Sequence, residues 1–389
     1  MTGPALCSAP GRLVSLDILR GLTIAYMIMV NNTGGGAWTE MRHAEWNGFT
    51  ATDLVFPTFL FVVGASIVFS TQARLRRGDT PAKLAWHSLW RAAILFLLGI
   101  VVNDFPWFHL NHIRVYGVLQ RIAICYLIAS LIYLWDRRVW SKVLLLACVL
   151  IGYWILVRWV PVPGAGMPGR DIPLLDKDQN IVAWVDRQLM PGHLYEEAPR
   201  YDTRDPEGLL SDIPALGTTL IGLLAALWLS GKRTAGTKTL GLAVGAAVCL
   251  ATGYLWSIWF PLNKKMWTSS YVLVAAGWSL LLLALAYWAI EQRGWGKSGW
   301  SKRLLSPWLV FGSNAIIAYM TSELLSTVLA LVTVPSGDRR MDALSYIYSH
   351  VFAPISDPGW RAFAYSLSYT AVCFLPVWLL YRRKIFVKV

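Results

Sequence analysis

Apolar and polar positions divide this chain into blocks rather than into an alternation. Apolar runs of about 18 to 25 residues, the length that crosses a hydrocarbon core some 30 Å thick, recur from end to end. They predict spans near 14–31, 52–71, 86–103, 115–135, 142–160, 211–230, 239–260, 268–290, 307–332 and 362–381. Inside lipid only a helix or a closed barrel satisfies its own backbone groups, and continuous runs select helices over the short alternating segments of a barrel. The expected fold class is therefore all-α: a polytopic integral membrane helix bundle of about ten transmembrane helices, forming one domain over 1–389. The run from Pro307 to Val332 holds Gly312, Ser313 and Asn314, so a bend or break is expected there. Polar stretches at 32–51, 161–210 and 333–361 are expected to be structured outer loops.

Basic residues orient the bundle. With the amino terminus inside, the inner segments hold 20 Lys and Arg, and the outer segments hold 12 in a greater length. Arg74, Arg76 and Arg77 share the inner side with Arg382, Arg383 and Lys384, whereas Lys264 and Lys265 run against the rule. An even number of spans puts both termini in the cytoplasm. Composition agrees: 56% of residues are hydrophobic and 15% charged, against roughly 25% charged in soluble domains. The net charge of +13 is distributed as a topology signal, which argues against nucleic acid as a partner. Many of the 21 tryptophans fall at span ends, among them Trp140, Trp159, Trp267 and Trp308, as in interfacial belts. Of the five cysteines, Cys125, Cys148, Cys249 and Cys373 lie in apolar runs and Cys7 in the amino-terminal tail. No disulfide framework, metal cluster or cleavable signal peptide is expected. No internal repeat stands out, which weakens a two-fold transporter architecture.

Charges within spans need a reason. Asp17 and Arg20 share one helix face at i,i+3 spacing, as a neutralised anchor or with Arg20 facing a polar cavity that admits an anionic group. Arg121 and Glu323 are candidates to line the same cavity, and Arg158 snorkels from a span end. The stretch from Val30 to Gly48 is the most unusual, with Asn31 and Asn32 at a membrane boundary, three successive glycines, and His43 in a short loop. A loop histidine is most often a polar surface residue. Its alternative value is a side chain that titrates near neutrality and takes a proton from a nucleophile. His87, His109, His112, His193 and His350 show no metal-ligand spacing, and no phosphate loop or serine elbow is present.

Eight motifs resemble one family. S-L-D-I-L-R-G (15–21), V-N-N-T-G-G-G (30–36), R-H-A-E-W-N-G (42–48) and T-D-L-V-F-P (52–57) are similar to heparan-α-glucosaminide N-acetyltransferases and their bacterial, NagX-like relatives. The likeness continues in G-V-L-Q-R-I-A (117–123), D-P-E-G-L-L (205–210), N-K-K-M-W-T-S-S-Y (263–271) and G-S-N-A-I-I-A-Y (312–319), and so covers nearly the whole chain. The resemblance implies a membrane acetyltransferase of a bacterial inner membrane. It implies transfer of acetyl from cytoplasmic acetyl-CoA to the amine of glucosamine, or of a glucosamine-containing sugar, on the periplasmic side, without a metal and as a homodimer. The family's active-site histidine matches His43, and its partner asparagine matches Asn32. In that scheme Arg20 and Arg121 are candidates to bind the co-substrate, and Asp53, Asp205 and Glu207 to bind the sugar. Direct transfer with His43 as general base and a covalent acetyl-histidine both fit the sequence. The rival class is an inner-membrane transporter of N-acetylglucosamine or another amino sugar; a structural subunit without activity is a third.

Overall fold

The computed structural model describes residues 13–109, 111–195, 203–297, 299–336 and 339–387. Cys7 and the amino-terminal tail lie outside them. Helices α1 (Val14–Asn31), α2 (Val55–Arg76), α3 (Pro81–Asp104), α4 (Val118–Trp135) and α5 (Val139–Trp159) come first. A nine-residue helix, α6 (Ile181–Leu189), follows in the long polar stretch. Then come α7 (Asp212–Ser230), α8 (Ala235–Trp256), α9 (Ser269–Tyr287), α10 (Gly299–Ser313) and α11 (Ala315–Leu331). A small antiparallel hairpin, β1 (Thr333–Ser336) with β2 (Arg339–Asp342), leads through α12 (Ala343–Tyr346) to α13 (Pro358–Arg382).

Among the described residues, nine helical stretches are long and apolar enough to cross a membrane, and α10 with α11, bent by 79° at their junction, makes a tenth candidate span. The protein is a multi-pass membrane protein. Nine predicted spans reappear as single helical stretches and the tenth as the bent pair, with ends that shift by a few residues: α4 starts later and α8 stops earlier than the apolar run, whereas others run on. The second helix continues to Arg76 and the third begins at Pro81, where Thr80 caps the Lys83 N–H at 3.3 Å. Hydropathy marks the lipid-facing core of a helix, whereas the backbone ladder runs on into the polar interface until a cap ends it.

The bend falls at the expected place. Asn314 leaves helical geometry (φ −135°, ψ 48°) and turns its side chain to the carboxyl-terminal segment. Its Nδ2 donates to Ile385 O at 3.1 Å, and its Oδ1 accepts from Val387 N–H at 2.8 Å. Asp17 and Arg20, near the start of α1, line one cavity with Phe386 and Val387, so both ends of the described chain share one face of the bundle.

Close backbone approach holds the middle together. A Cβ built on Gly64 of α2 would lie 1.9 Å from Thr219 O of α7, and one on Gly222 would lie 2.0 Å from Phe61 O. The same reciprocity joins α1 to α10, with Gly21 on Trp308 O and Gly312 on Asp17 O. In lipid, where burial gives little drive, such small-residue crossings let dispersion and polar contacts act at short range. A second apolar cluster around Trp46, Tyr153, Ile172, Ile181 and Phe260 fastens the 161–195 stretch onto the ends of α5 and α8. Trp140 and Trp159 are exposed at helix ends, as a belt requires. Trp267 departs from that expectation: it is 1% exposed and packs between Phe56 and Tyr271.

Candidate active site

The end of the bundle opposite the chain termini carries three loops whose charged residues converge. The first runs from α1 to α2 and holds His43. Several hydrogen bonds fix it: Trp46 Nε1 donates to Leu175 O at 2.7 Å, Thr50 Oγ1 to Arg42 O at 2.8 Å, and Thr52 Oγ1 to Glu40 O at 2.9 Å. The second loop, between α8 and α9, is joined to the first by Gly48 N–H to Leu262 O (2.8 Å) and Asn263 Nδ2 to Asn47 Oδ1 (3.1 Å). Asn263 also accepts the Met266 N–H at 2.8 Å, and Tyr153 donates to Met266 O at 2.6 Å. Trp267 is forced to a φ of 52°, a left-handed conformation that a bulky residue keeps only when its surroundings dictate it. The turn that presents Lys264 is therefore rigid.

His43 sits on Asp53. Its Nδ1 lies 2.8 Å from Asp53 Oδ1, with the ring side chain 41% exposed and the carboxylate fully buried. The other carboxylate oxygen has three donors at 3.1 Å, Ala44 N–H, Thr50 N–H and Thr50 Oγ1, the last sharing its one proton with Arg42 O. An ionised carboxylate only accepts, so Nδ1 carries the proton and the lone pair is on Nε2. Lys264 Nζ lies 3.3 Å from Nε2, 3.0 Å from Nδ1 and 3.8 Å from Asp53 Oδ1. With Nδ1 protonated, the hydrogen bond from Lys264 goes to Nε2. Burial pushes the imidazole below its ordinary value; Asp53 opposes this and Lys264 reinforces it, so His43 is neutral near pH 7. Burial also lowers the Lys264 ammonium, against the pull of Asp53 and Glu207.

The third loop, 203–211, brings the remaining acids. Arg114 holds Asp205 with two bonds, Nε to Oδ2 at 2.9 Å and Nη2 to Oδ1 at 2.7 Å, and reaches Glu207 Oε2 at 2.6 Å. It lies over the Tyr195 ring, and its partners raise it above its ordinary value even though burial acts the other way. Just beneath, Arg121 is fully buried. Its Nε donates to Asp212 at 2.7 Å, its Nη2 bonds Ser211, and its guanidinium lies 4.8 Å over Trp267. Asp186 is buried beside Asp205 and Asp212, which with burial moves its carboxyl up to about 7.

The predicted site residues thus occupy different places. His43 and Asp53 are in contact, and Glu207 lies within electrostatic reach of both His43 and Lys264. Asp53 is sealed behind the imidazole, and Asp205 is clamped by Arg114. Asn32 ends α1, where its Nδ2 donates to Ile28 O at 2.9 Å and Ser322 Oγ at 3.3 Å. Arg20 lies toward the opposite face, bonded to Asp17 (2.9 Å), Ser66 (2.7 Å) and Gly312 O (3.3 Å). Arg121 is locked beneath the acids rather than beside Arg20.

Arg20 borders a cavity of about 490 Å³. This cavity follows α2 from Ser70 up to Phe59, about 16 Å at the helical rise, and its upper wall includes Leu119 at the start of α4. Phe59 is six residues beyond Asp53, about 10 Å along the helix. Arg91, a residue the sequence did not single out, also lines the cavity; it lies 4.9 Å over Tyr126, and its Nε is buried without a hydrogen-bond partner. Lys264 and Arg114 were likewise not marked as site residues, although Lys264 stood out as a basic residue on the wrong side.

Comparison with known proteins points to one family. A family model described as heparan-alpha-glucosaminide N-acetyltransferase, catalytic, matches residues 12–184, the segment holding His43 and Asp53. The chain is 28% identical over 435 residues to heparan-alpha-glucosaminide N-acetyltransferase of Homo sapiens, covering 99% of this chain and 61% of that protein. To the protein of that name from Mus musculus it is 28% identical over 369 residues, covering 82% and 54%. The chain therefore spans little more than half the length of these relatives.

Proposed function

We propose that this chain is a member of the heparan-α-glucosaminide N-acetyltransferase family, which it resembles over nearly its whole length, and that it transfers acetyl from acetyl-CoA to the amine of glucosamine or a glucosamine-containing sugar. The observation that carries this reading is the buried Asp53 behind a half-exposed, neutral His43. A carboxylate on Nδ1 fixes the ring and tautomer and stabilises the imidazolium that forms when Nε2 takes a proton. An amine nucleophile needs such a base, because its nitrogen becomes positively charged as the lone pair bonds the carbonyl carbon and must then shed a proton.

The donor enters from the opposite face. The face carrying the termini is the basic one, and the positive-inside rule assigns it to the cytoplasm of a bacterial inner membrane. The phosphates of acetyl-CoA stay near that face, with Arg20 and Arg91 as cations within the cavity, and the thin pantetheine arm follows α2 toward Phe59. The acetyl thioester then approaches His43 from below while the sugar arrives from the periplasm. The bound ammonium first loses one proton to solvent. The amine lone pair then attacks the carbonyl carbon, and Nε2 accepts one of the two N–H protons left on the positively charged nitrogen. The carbon–sulfur bond breaks, and that proton passes from Nε2 to the leaving thiolate. Products are an amide and free CoA. Glu207, whose second oxygen is not part of its bond to Arg114, is the carboxylate best placed to meet the sugar ammonium; Asp53 acts on His43 instead, and Asp205 holds the loop.

The test is release of free CoA by the full chain in detergent, given acetyl-CoA and glucosamine. Turnover by the wild type and none by His43→Ala is the expected result. Uptake of labelled N-acetylglucosamine into proteoliposomes without acetyl-CoA, in the absence of CoA release, would favour a transporter.

A further inference from the structure

We propose that Lys264 is a catalytic residue, whose ammonium donates to the acetyl carbonyl oxygen as negative charge develops there. This rests on the acetyltransferase reading above. The amine that gives its proton to Nε2 must lie about 3 Å from it. The carbonyl under attack is one bond further on, and Lys264 Nζ, 3.3 Å from the same Nε2, lies within one hydrogen bond of that oxygen.

The other donors nearby are committed. Both N–H groups of Asn32 point to Ile28 O and Ser322. Arg114 is spread over Asp205 and Glu207, and Arg121 is bound to Asp212 and Ser211. Lys264 gives one of its three N–H groups to His43 Nε2, a bond the arriving amine displaces, and stands 3.8 Å from an Asp53 oxygen that already serves His43, with its side chain 20% exposed. The turn from Asn263 to Thr268 is closed by its own hydrogen bonds, so the ammonium is positioned before the acetyl group arrives. As the amine attacks, the carbonyl π pair moves to oxygen and Lys264 N–H bonds the oxyanion. When the pair returns, the carbon–sulfur bond breaks and the thiolate takes the proton held by His43. Lys264 keeps its own proton throughout.

The titratable groups facing Lys264 are the neutral His43 and the carboxylate of Asp53 from the first loop, Glu207 from the third, Arg121 of α4, and Lys265 on its own turn. The experiment compares wild type, Lys264→Met and Lys264→Arg by CoA release across pH, with acetyl-CoA binding measured by calorimetry. Lys264→Met is expected to lower kcat by about 100-fold or more, the usual loss for one oxyanion donor, while acetyl-CoA binding changes less than about threefold. Lys264→Arg restores part of the rate and removes the wild type's decline at high pH, because a guanidinium does not deprotonate there. Turnover within about threefold of wild type in Lys264→Met overturns the proposal. So does an unchanged basic limb in Lys264→Arg, which decides the matter even where the methionine variant does not fold. A wild type that releases no CoA with any amine removes the acetyltransferase reading and this role together, before any variant is compared.

Discussion

Asp53→Asn replaces one oxygen by nitrogen in a side chain whose every bond is known. Three donors, Ala44 N–H, Thr50 N–H and Thr50 Oγ1, converge on Oδ2, and His43 Nδ1 faces Oδ1. The amide must keep its oxygen toward the three donors, so its NH₂ turns to His43. Two N–H groups then oppose each other unless the imidazole moves its proton to Nε2 and accepts at Nδ1. The histidine keeps its place but loses the lone pair at the reacting nitrogen. In the serine-protease triad the same reversal of tautomer costs about 10⁴ in kcat, a loss of about 5.4 kcal/mol of transition-state stabilisation. Here the expected fall in kcat is about 10³- to 10⁴-fold, with acetyl-CoA affinity unchanged because the cavity toward Arg20 is untouched. Fold should persist, since three of four bonds survive. Thiol release in detergent gives the rate, and gel filtration confirms the folded species. A folded Asp53→Asn protein that turns over within tenfold of wild type would refute the role given to the pair.

Other expectations follow from the same geometry. Because the imidazole is held below its ordinary 6.5, the acid limb of kcat/KM should have its midpoint below about pH 6.5; a midpoint near 7 or above would contradict its environment. Arg114→Met leaves two buried carboxylates without their cation and should destabilise the protein by about 3–5 kcal/mol, read from thermal unfolding in detergent. Arg91→Met should raise KM for acetyl-CoA and leave KM for the sugar unchanged, because Arg91 lines the cavity beside Arg20. Gly222→Val places a Cβ 2.0 Å from Phe61 O and should abolish a monodisperse preparation in detergent; a monodisperse variant would contradict the close crossing of α2 and α7.

Much of the architecture was legible because lipid imposes a single rule: a long apolar run must be a helix. The break at Asn314 was legible for a related reason, since a buried amide beside glycine and serine needs partners off its own helix, and it finds them in Ile385 and Val387. The roles of the acids were not. Asp53 reads as an exposed loop carboxylate until the chain between His43 and Asp53 folds back and Thr50 seals it. Asp205 reads as a sugar ligand until Arg114, 91 residues earlier, is seen to hold it. Such pairings join distant segments, and no local period records them. Lys264 did leave a trace, as a cation on the face where the positive-inside rule allows few, and its contact with His43 supplies the reason.

Two substrates must meet in this protein from opposite faces of the membrane. Oriented proteoliposomes, with acetyl-CoA outside at the basic face and labelled glucosamine sealed inside, test this directly. N-acetylglucosamine accumulating in the compartment that never held acetyl-CoA, with none for His43→Ala, is the predicted outcome. Product formed only when both substrates share one compartment would contradict it.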